Sequence, residues 1–117
     1  GRRVDVAGLR RDGTFAVAEV KSSLADFRAD KKWPEYLAFC DAFYFAVPEG
    51  FPLEVLPAEA GLIIADRFGG SVVRPGPRPK LAAARRKALT LRFARCAAFR
   101  LGAAHDPGLP VVQDLDL

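Results

Sequence analysis

Two short runs rich in Val, Leu and Phe open the chain, residues 2–9 and 14–23, and the polar sequence Arg10-Arg11-Asp12-Gly13 separates them. Apolar runs of this length around a Gly-containing turn sequence predict two antiparallel strands joined as a β-hairpin. Successive strand residues point to opposite faces, so the length of the turn decides which side chains share a face.

Two turn lengths fit this sequence and lead to different arrangements of charge. A two-residue turn at Asp12-Gly13 would put Asp5 and Glu19 on opposite faces. A three-residue turn with Gly13 in the left-handed conformation places Asp5 directly across from Glu19, with Lys21 on the same face. Adjacent carboxylates repel unless a cation or a proton lies between them, and oxygen ligands favour Mg²⁺ or Mn²⁺. The second register therefore predicts a divalent-metal site.

Beyond the hairpin the apolar positions change from alternation to helical spacing. We predict a helix from Leu24 to about Lys32, capped by Ser22 or Ser23, and a second short helix that starts at Pro34. The apolar run 42–47 predicts a buried strand, which the β-α-β order makes parallel to the second strand of the hairpin.

The second half of the chain predicts a further hairpin and a long helix. Strands are predicted over 61–65 and 71–74, and the Pro-rich segment 75–79 reads as a stiff connector. Residues from Lys80 to about Leu101 are rich in Ala, Leu, Arg and Lys and predict a helix, although its arginines give no clean amphipathic stripe. From about residue 103 the Pro/Gly-rich, acidic tail is expected to be loosely ordered.

Composition limits the class of protein. With 117 residues, half of them hydrophobic, we expect one domain with a single core. A net charge of +4 and a pI near 9.4 are compatible with a polyanionic partner. Cys40 and Cys96 have no metal-binding spacing and are expected to be free thiols, with a disulfide as the alternative. No apolar run approaches a membrane span and no signal peptide is visible, so we expect a cytoplasmic protein without a membrane partner.

Asp5 near the start of one strand, followed by Glu19-Val20-Lys21 in the next, resembles the PD-(D/E)xK nuclease superfamily, which has the restriction-endonuclease-like fold. A wider set of segments resembles the MmcB family, bacterial proteins associated with DNA repair and assigned to that superfamily. The segments that carry this resemblance are 1–6, 18–23, 26–36, 43–48 and 61–66, and the likeness continues into the basic C-terminal region.

The resemblance implies an α/β fold in which helices flank a mixed β-sheet with a restriction-endonuclease-like core. Residues 1–117 then form a single nuclease-like domain. The helix that normally precedes the first strand of this fold, and often carries another acidic ligand, is expected to be missing.

The resemblance also implies a metal-dependent nuclease that hydrolyses DNA in repair. Asp5 and Glu19, with the carbonyl of Val20, would hold Mg²⁺ or Mn²⁺, and Lys21 would orient the attacking water and stabilise the transition state. One alternative is a catalytically inactive nucleic-acid-binding or adaptor module on the same fold. Another is an interaction protein in which Glu19 and Lys21 only form the solvated face of an edge strand. Homodimers are common in the superfamily and are a further expectation by analogy.

Residues around this centre are predicted to contact DNA, with basic side chains tracking the backbone. Trp33 is expected to be a core or hinge residue, with stacking on an unpaired base as the alternative. Asp26 and Asp30 are expected to cap helices or to pair with Arg28 or neighbouring lysines, with a part in metal binding as the alternative. The basic cluster 85–87 is either a DNA contact or a solvated helix face, and His105 is expected in a turn without a catalytic role. The predicted nucleic-acid contacts are Arg3, Ser22, Ser23, Lys31, Lys32 and Tyr36.

Overall fold

The computed structural model describes residues 3–77, 81–106 and 108. Together these residues form one five-stranded sheet, in the order β1-β2-β3-β4-β5, and three α-helices. The elements are β1 (Val6–Leu9), β2 (Phe15–Val20), α1 (Leu24–Ala29), α2 (Trp33–Tyr36), β3 (Ala42–Val47), β4 (Gly61–Asp66), β5 (Gly69–Arg74) and α3 (Ala83–His105). Strands β2, β3 and β4 are parallel, and β1 and β5 lie antiparallel at the two edges. The prediction of an α/β fold with a mixed sheet and helices is confirmed.

The β1–β2 turn has three residues, as the second of the two predicted registers requires. The N–H of Gly13 donates to the carbonyl of Arg10 (3.0 Å), and the N–H of Arg10 donates to the carbonyl of Thr14 (2.8 Å). Gly13 has φ +86°, a left-handed value that a side chain would strain. The register of β1 against β2 that follows brings Asp5 opposite Glu19.

The first helix is shorter than predicted because Asp30 ends it. Asp30 has an extended backbone (φ −84°, ψ 108°), and its carboxylate accepts the N–H groups of Lys32 (2.8 Å) and Trp33 (3.1 Å). Helix α1 therefore stops at Ala29 instead of Lys32. Helix α2 begins at Trp33, one residue before Pro34.

The C-terminal elements are longer than predicted. Strands β4 and β5 extend to a turn of only two residues, Arg67 and Phe68. Helix α3 begins at Ala83, later than the predicted Lys80, and continues through Gly102 to His105. Residues 103–105 are therefore helical, contrary to the predicted loose tail and the predicted turn at His105. Ala103 and Ala104 are strong helix formers, and they offset the roughly 1 kcal/mol that a helical glycine costs. The predictions for 78–80, 107 and 109–117 fall outside the described residues.

Instead of the predicted single core, the described residues form two hydrophobic clusters: the larger one lies on one face of the sheet and reaches the candidate site, and a smaller one joins Phe15 to helix α3. Phe15 and Val17 of β2, with Phe43 and Phe45 of β3, are each at most 2 % exposed. The ring of Trp33 stacks on Phe43 with centroids 6.0 Å apart, which is the packing role predicted for it. Glu19 is the next residue of β2 on this face, so its carboxylate lies at the margin of the core.

Cys40 and Cys96 are not joined by a disulfide, which excludes the disulfide alternative. Burial raises the pKa of the Cys40 thiol to about 12, so this thiol is protonated and unreactive at neutral pH. Within the described ranges, each helix is too short or too polar to serve as a membrane span.

An ion pair between buried Asp41 and half-buried Arg86 joins α3 to the start of β3. The Asp41 side chain is almost fully buried, accepts the N–H of Phe15 (2.7 Å) and is held bidentately by the guanidinium of Arg86, with 2.7 Å from Nη2 to Oδ1. Burial alone would raise the pKa of Asp41, but the hydrogen bonds from Arg86 and Phe15 overcome it and lower the pKa below its usual value. This ion pair fixes the position of the N-terminal end of α3 relative to the sheet.

Asp41→Asn is expected to lower the free energy of unfolding at pH 7 by about 1–3 kcal/mol, since the buried N–H of Phe15 loses its charged acceptor. The lowered pKa of Asp41 means that its contribution is present above the unfolded value, near 4, and is lost as the pH falls through the folded value. Urea unfolding at pH 7 and pH 3 should show a large difference between wild type and variant at pH 7 and a smaller one at pH 3. Equal unfolding free energies at pH 7 would contradict this account.

Candidate active site

Asp5 and Glu19 are held side by side by backbone groups of each other's strand. The N–H of Asp5 donates to Oε1 of Glu19 (3.1 Å), and the N–H of Val20 donates to Oδ2 of Asp5 (2.8 Å). The register pairs Val6 with Ala18, so Asp5, the residue before β1, lies next to Glu19 near the end of β2. Each carboxylate still has acceptor capacity beyond these bonds, because an ionised carboxylate can accept about four.

The two carboxylates differ in exposure. Asp5 is open to solvent, whereas Glu19 is only 6 % exposed. Burial raises the pKa of Glu19 and the charge of Asp5 raises it further, although the hydrogen bond from the Asp5 N–H and the charge of Lys21 act in the opposite direction. An ionised Glu19 is therefore unfavourable for the folded chain, and a bound cation would relieve that cost.

Lys21 forms a buried ion pair with Asp30. The Nζ–Oδ2 distance is 2.8 Å, and the two side chains are only 8 % and 16 % exposed. Burial alone would lower the pKa of Lys21, but the bond to Asp30 outweighs burial and raises this pKa. Burial alone would raise the pKa of Asp30, but the bonds from Lys21 and from two backbone N–H groups lower it. Both groups are thus charged, and Lys21 is a fixed cation beside Glu19.

The donor set suits a hard divalent cation. The carboxylates of Asp5 and Glu19 supply oxygen ligands, and the Val20 carbonyl is directed towards β1 together with its N–H, because both groups of a strand residue point to the same side. Within residues 3–77, 81–106 and 108, no group of three or more acidic, histidine or cysteine side chains is placed to hold a metal. Mg²⁺ is commonly bound through one or two carboxylates plus waters and substrate phosphates, so two suffice for this ion.

Asp5 also forms part of a cleft of about 540 Å³ between the start of β1 and helix α3. Arg3 lies in the same wall, and Phe93, Cys96 and Arg100 line it from the helix. Cations on both walls of a cleft that contains a candidate metal ligand suit a phosphodiester substrate.

Two of the predicted DNA contacts cap helix α1. The N–H of Ser22 donates to the carboxylate of Asp26 (3.1 Å), and the Ser23 hydroxyl accepts the N–H of Asp26 (3.1 Å). Asp26 therefore acts as the predicted cap. Lys31, another predicted contact, is exposed.

The other predicted contacts differ in accessibility. Tyr36 is buried, its ring stacks on Phe43, and its hydroxyl donates to the backbone carbonyl of Arg3 (3.0 Å). The structure thus gives Tyr36 a packing role that fixes the backbone before Asp5. Arg3 and Lys32 have exposed side chains and remain available for phosphates.

Sequence reasoning missed the pairing of Asp30 with Lys21. It expected Asp30 to cap a helix, or to pair with Arg28 or with neighbouring lysines that are closer in sequence. The signal was the order of the elements. Because α1 is short and directly follows β2, a residue at the C-terminal end of α1 can lie next to the end of β2.

The comparisons with known proteins agree with the fold and point to DNA repair. Residues 1–108 match the model of a family described as DNA repair protein MmcB-like. A solved structure, described as a protein of unknown function from Silicibacter pomeroyi, is 52 % identical and superposes with a TM-score of 0.89. The match covers 97 % of this chain and 78 % of that one. No curated protein matches. The chain therefore belongs to the MmcB-like family of DNA repair proteins.

Proposed function

We propose that this protein is a metal-dependent nuclease of the PD-(D/E)xK type that hydrolyses DNA phosphodiester bonds in repair. The observation that carries the proposal is the pairing of Asp5 with Glu19 across the hairpin, with the buried cation Lys21 directly after β2. Two neighbouring carboxylates, one of them buried, repel each other and lower the stability of the fold when no cation lies between them. Membership of a DNA repair family supports DNA as the substrate.

In this proposal the carboxylates of Asp5 and Glu19 and the carbonyl of Val20 hold Mg²⁺ or Mn²⁺. A bound ion of this kind polarises the phosphodiester and lowers the pKa of a coordinated water. Asp5 and Glu19 position the ion, and the backbone bonds between their strands keep the two carboxylates from rotating away from each other. Arg3 and Arg100, on the walls of the cleft, orient the DNA strand towards Asp5.

Lys21 acts as a cation and not as a base. Its raised pKa keeps the ammonium group protonated throughout the neutral range. The ammonium has three N–H donors, of which Asp30 engages one, leaving donors for the attacking water and for a non-bridging phosphate oxygen. Asp30 thereby fixes the position of a charge that stabilises the transition state.

A second candidate is a DNA-binding module that keeps the fold without cutting. The observation that favours it is the engagement of Lys21 by Asp30, which a structural ion pair would equally explain. The two candidates differ in metal dependence, because a binding module does not require a cation at Asp5 and Glu19.

Cleavage of labelled duplex, single-stranded, flap and forked DNA in the presence of Mg²⁺ or Mn²⁺ tests the proposal. We expect the wild type to cut at least one substrate, chelation to abolish cutting, and Asp5→Asn to be inactive. Glu54→Gln, which removes an exposed carboxylate outside the site, is the matched control and should cut normally. Binding of DNA without cleavage under any of these conditions would favour the binding module.

A further inference from the structure

The turn between β4 and β5 presents an aromatic ring to solvent. Phe68 is 84 % exposed, more than any other large hydrophobic residue that the structure describes. Turn positions favour Gly, Asn, Asp and Ser, so a phenylalanine here does not serve the turn. An exposed large apolar side chain at such a position suggests a binding role.

The ring is held on a fixed backbone. Oδ1 of Asp66 accepts the N–H of Phe68 (2.8 Å) and the N–H of Gly69 (3.2 Å), which closes the turn. The hairpin pairs up to Asp66 and Gly69, so only Arg67 and Phe68 extend beyond the ladder. A ligand that stacks on the ring would therefore lose little loop entropy on binding.

The chemistry of the turn suits an unpaired base. The guanidinium of Arg67 lies over the ring of Phe68, 4.8 Å from its centroid, so a second planar group can stack on the opposite face. Arg67 also provides a cation for the adjoining phosphate. Aromatic stacking platforms with neighbouring cations are the usual means of binding single-stranded nucleic acid.

The turn lies at the same end of the sheet as the candidate active site, where the parallel strands have their C-terminal ends. Strands β2, β3 and β4 are parallel, and Glu19 aligns through Phe45 with Leu62. Asp66 is four residues beyond Leu62 and two strands from β2, which at about 3.3 Å per residue and 4.8 Å per strand puts the turn roughly 15–20 Å from Glu19. A DNA strand of a few nucleotides can span this distance, because the rise is about 3.4 Å per nucleotide in a duplex and larger in an extended single strand.

The surroundings favour a base over a phosphate backbone as the main contact. A recess of about 390 Å³ adjoins Phe68, and Glu49, Ile64 and Ser71 contribute to its lining. Glu49 and Asp66 also line this recess, and their negative charges would repel phosphates, while a carboxylate can accept a hydrogen bond from the amino group of a base.

We infer that the Arg67-Phe68 turn is a stacking site for an unpaired base of a DNA strand whose backbone runs on to the Asp5–Glu19 centre. The inference rests on the proposed function insofar as DNA is the ligand, but it does not depend on cleavage. It makes single-stranded or forked DNA a better ligand than blunt duplex.

Fluorescence anisotropy with labelled DNA, measured in EDTA so that cleavage plays no part, tests the inference. Phe68→Ala should weaken binding of single-stranded DNA roughly 5- to 100-fold, the range expected when one stacked base is lost, and should change binding of blunt duplex little. Phe68→Trp should bind as well as the wild type, with its added fluorescence quenched by DNA. Val72→Ala, at a half-exposed valine of the same hairpin, is the control and should bind normally.

Wild-type affinity for single-stranded DNA in Phe68→Ala would overturn the inference, and so would an unquenched Phe68→Trp. An effect of Phe68→Ala on self-association alone would assign the turn to a protein contact and also overturn it. If the wild type cuts DNA and Phe68→Ala binds normally, the inference fails and the nuclease proposal stands. If the wild type does not cut DNA but Phe68→Ala loses single-strand binding, the nuclease proposal fails and the inference stands. A wild type that binds no DNA contradicts both.

Discussion

Replacing Glu19 with Gln should stabilise the metal-free protein and abolish its metal-dependent cleavage. The pKa of Glu19 is raised in the folded chain by burial and by Asp5, so stability falls as the pH rises through the unfolded value, near 4.5, and ionised Glu19 lowers stability at pH 7. Removing one of two facing carboxylate charges should raise the free energy of unfolding by about 0.2–1 kcal/mol. The same change removes a metal ligand and should slow cleavage by more than about 100-fold.

Thermal unfolding with and without Mn²⁺ measures both parts of this prediction. Without metal, Glu19→Gln should unfold at a higher temperature than the wild type. Added Mn²⁺ should raise the unfolding temperature of the wild type, since a ligand that binds only the folded state stabilises it, and should leave Glu19→Gln unchanged. Glu54→Gln should follow the wild type in both respects. A destabilised Glu19→Gln, or one that still responds to Mn²⁺, would show that Glu19 is an ordinary structural carboxylate.

Lys21→Ala should reduce kcat by about 10²–10³-fold, the usual effect of removing one donor to a developing negative charge. It also leaves the largely buried Asp30 without its cation, so folding of the variant must be checked by circular dichroism. Asp30→Asn is the more informative change because it keeps the lysine. Asp30 raises the pKa of Lys21, so its removal lowers that pKa, and the alkaline limb of the pH–rate profile should move to lower pH.

This pH shift distinguishes a catalytic lysine from a structural one. If Lys21 only supports the fold, Asp30→Asn alters stability and leaves the shape of the pH–rate profile unchanged. If Lys21 acts as a cation at the reacting phosphate, the profile shifts while the protein remains folded. A Lys21→Ala protein that is folded and fully active would remove the residue from the mechanism.

The local part of the site could be predicted from sequence, because short-range chemistry determines it. Gly13 at the third turn position selects one hairpin register, and that register alone brings Asp5 opposite Glu19. The alternation of β2 then puts Lys21 on the same face. Each of these steps depends on residues within about fifteen positions of one another.

Contacts between distant elements could not be predicted in this way. Asp41 and Arg86 are far apart in sequence, and nothing in either local pattern indicates that α3 crosses the start of β3. This crossing explains the positions of two arginines of α3, of which Arg85 lies on the predicted apolar side of the helix. Arg86 turns inward to Asp41, and Arg85 donates to the carbonyl of Ala38 (2.9 Å) and packs over the ring of Phe39. Their positions follow from tertiary packing and not from helix periodicity.

The central claim is that Asp5 and Glu19 form one divalent-cation site, and Mn²⁺ titration of the metal-free protein, followed by electron paramagnetic resonance, tests it most directly. We predict that the wild type and Glu54→Gln bind a single Mn²⁺ ion, and that Asp5→Asn and Glu19→Gln, both folded, do not. Wild-type protein that binds no Mn²⁺ with or without DNA, or an Asp5→Asn variant that binds it equally well, would contradict the account.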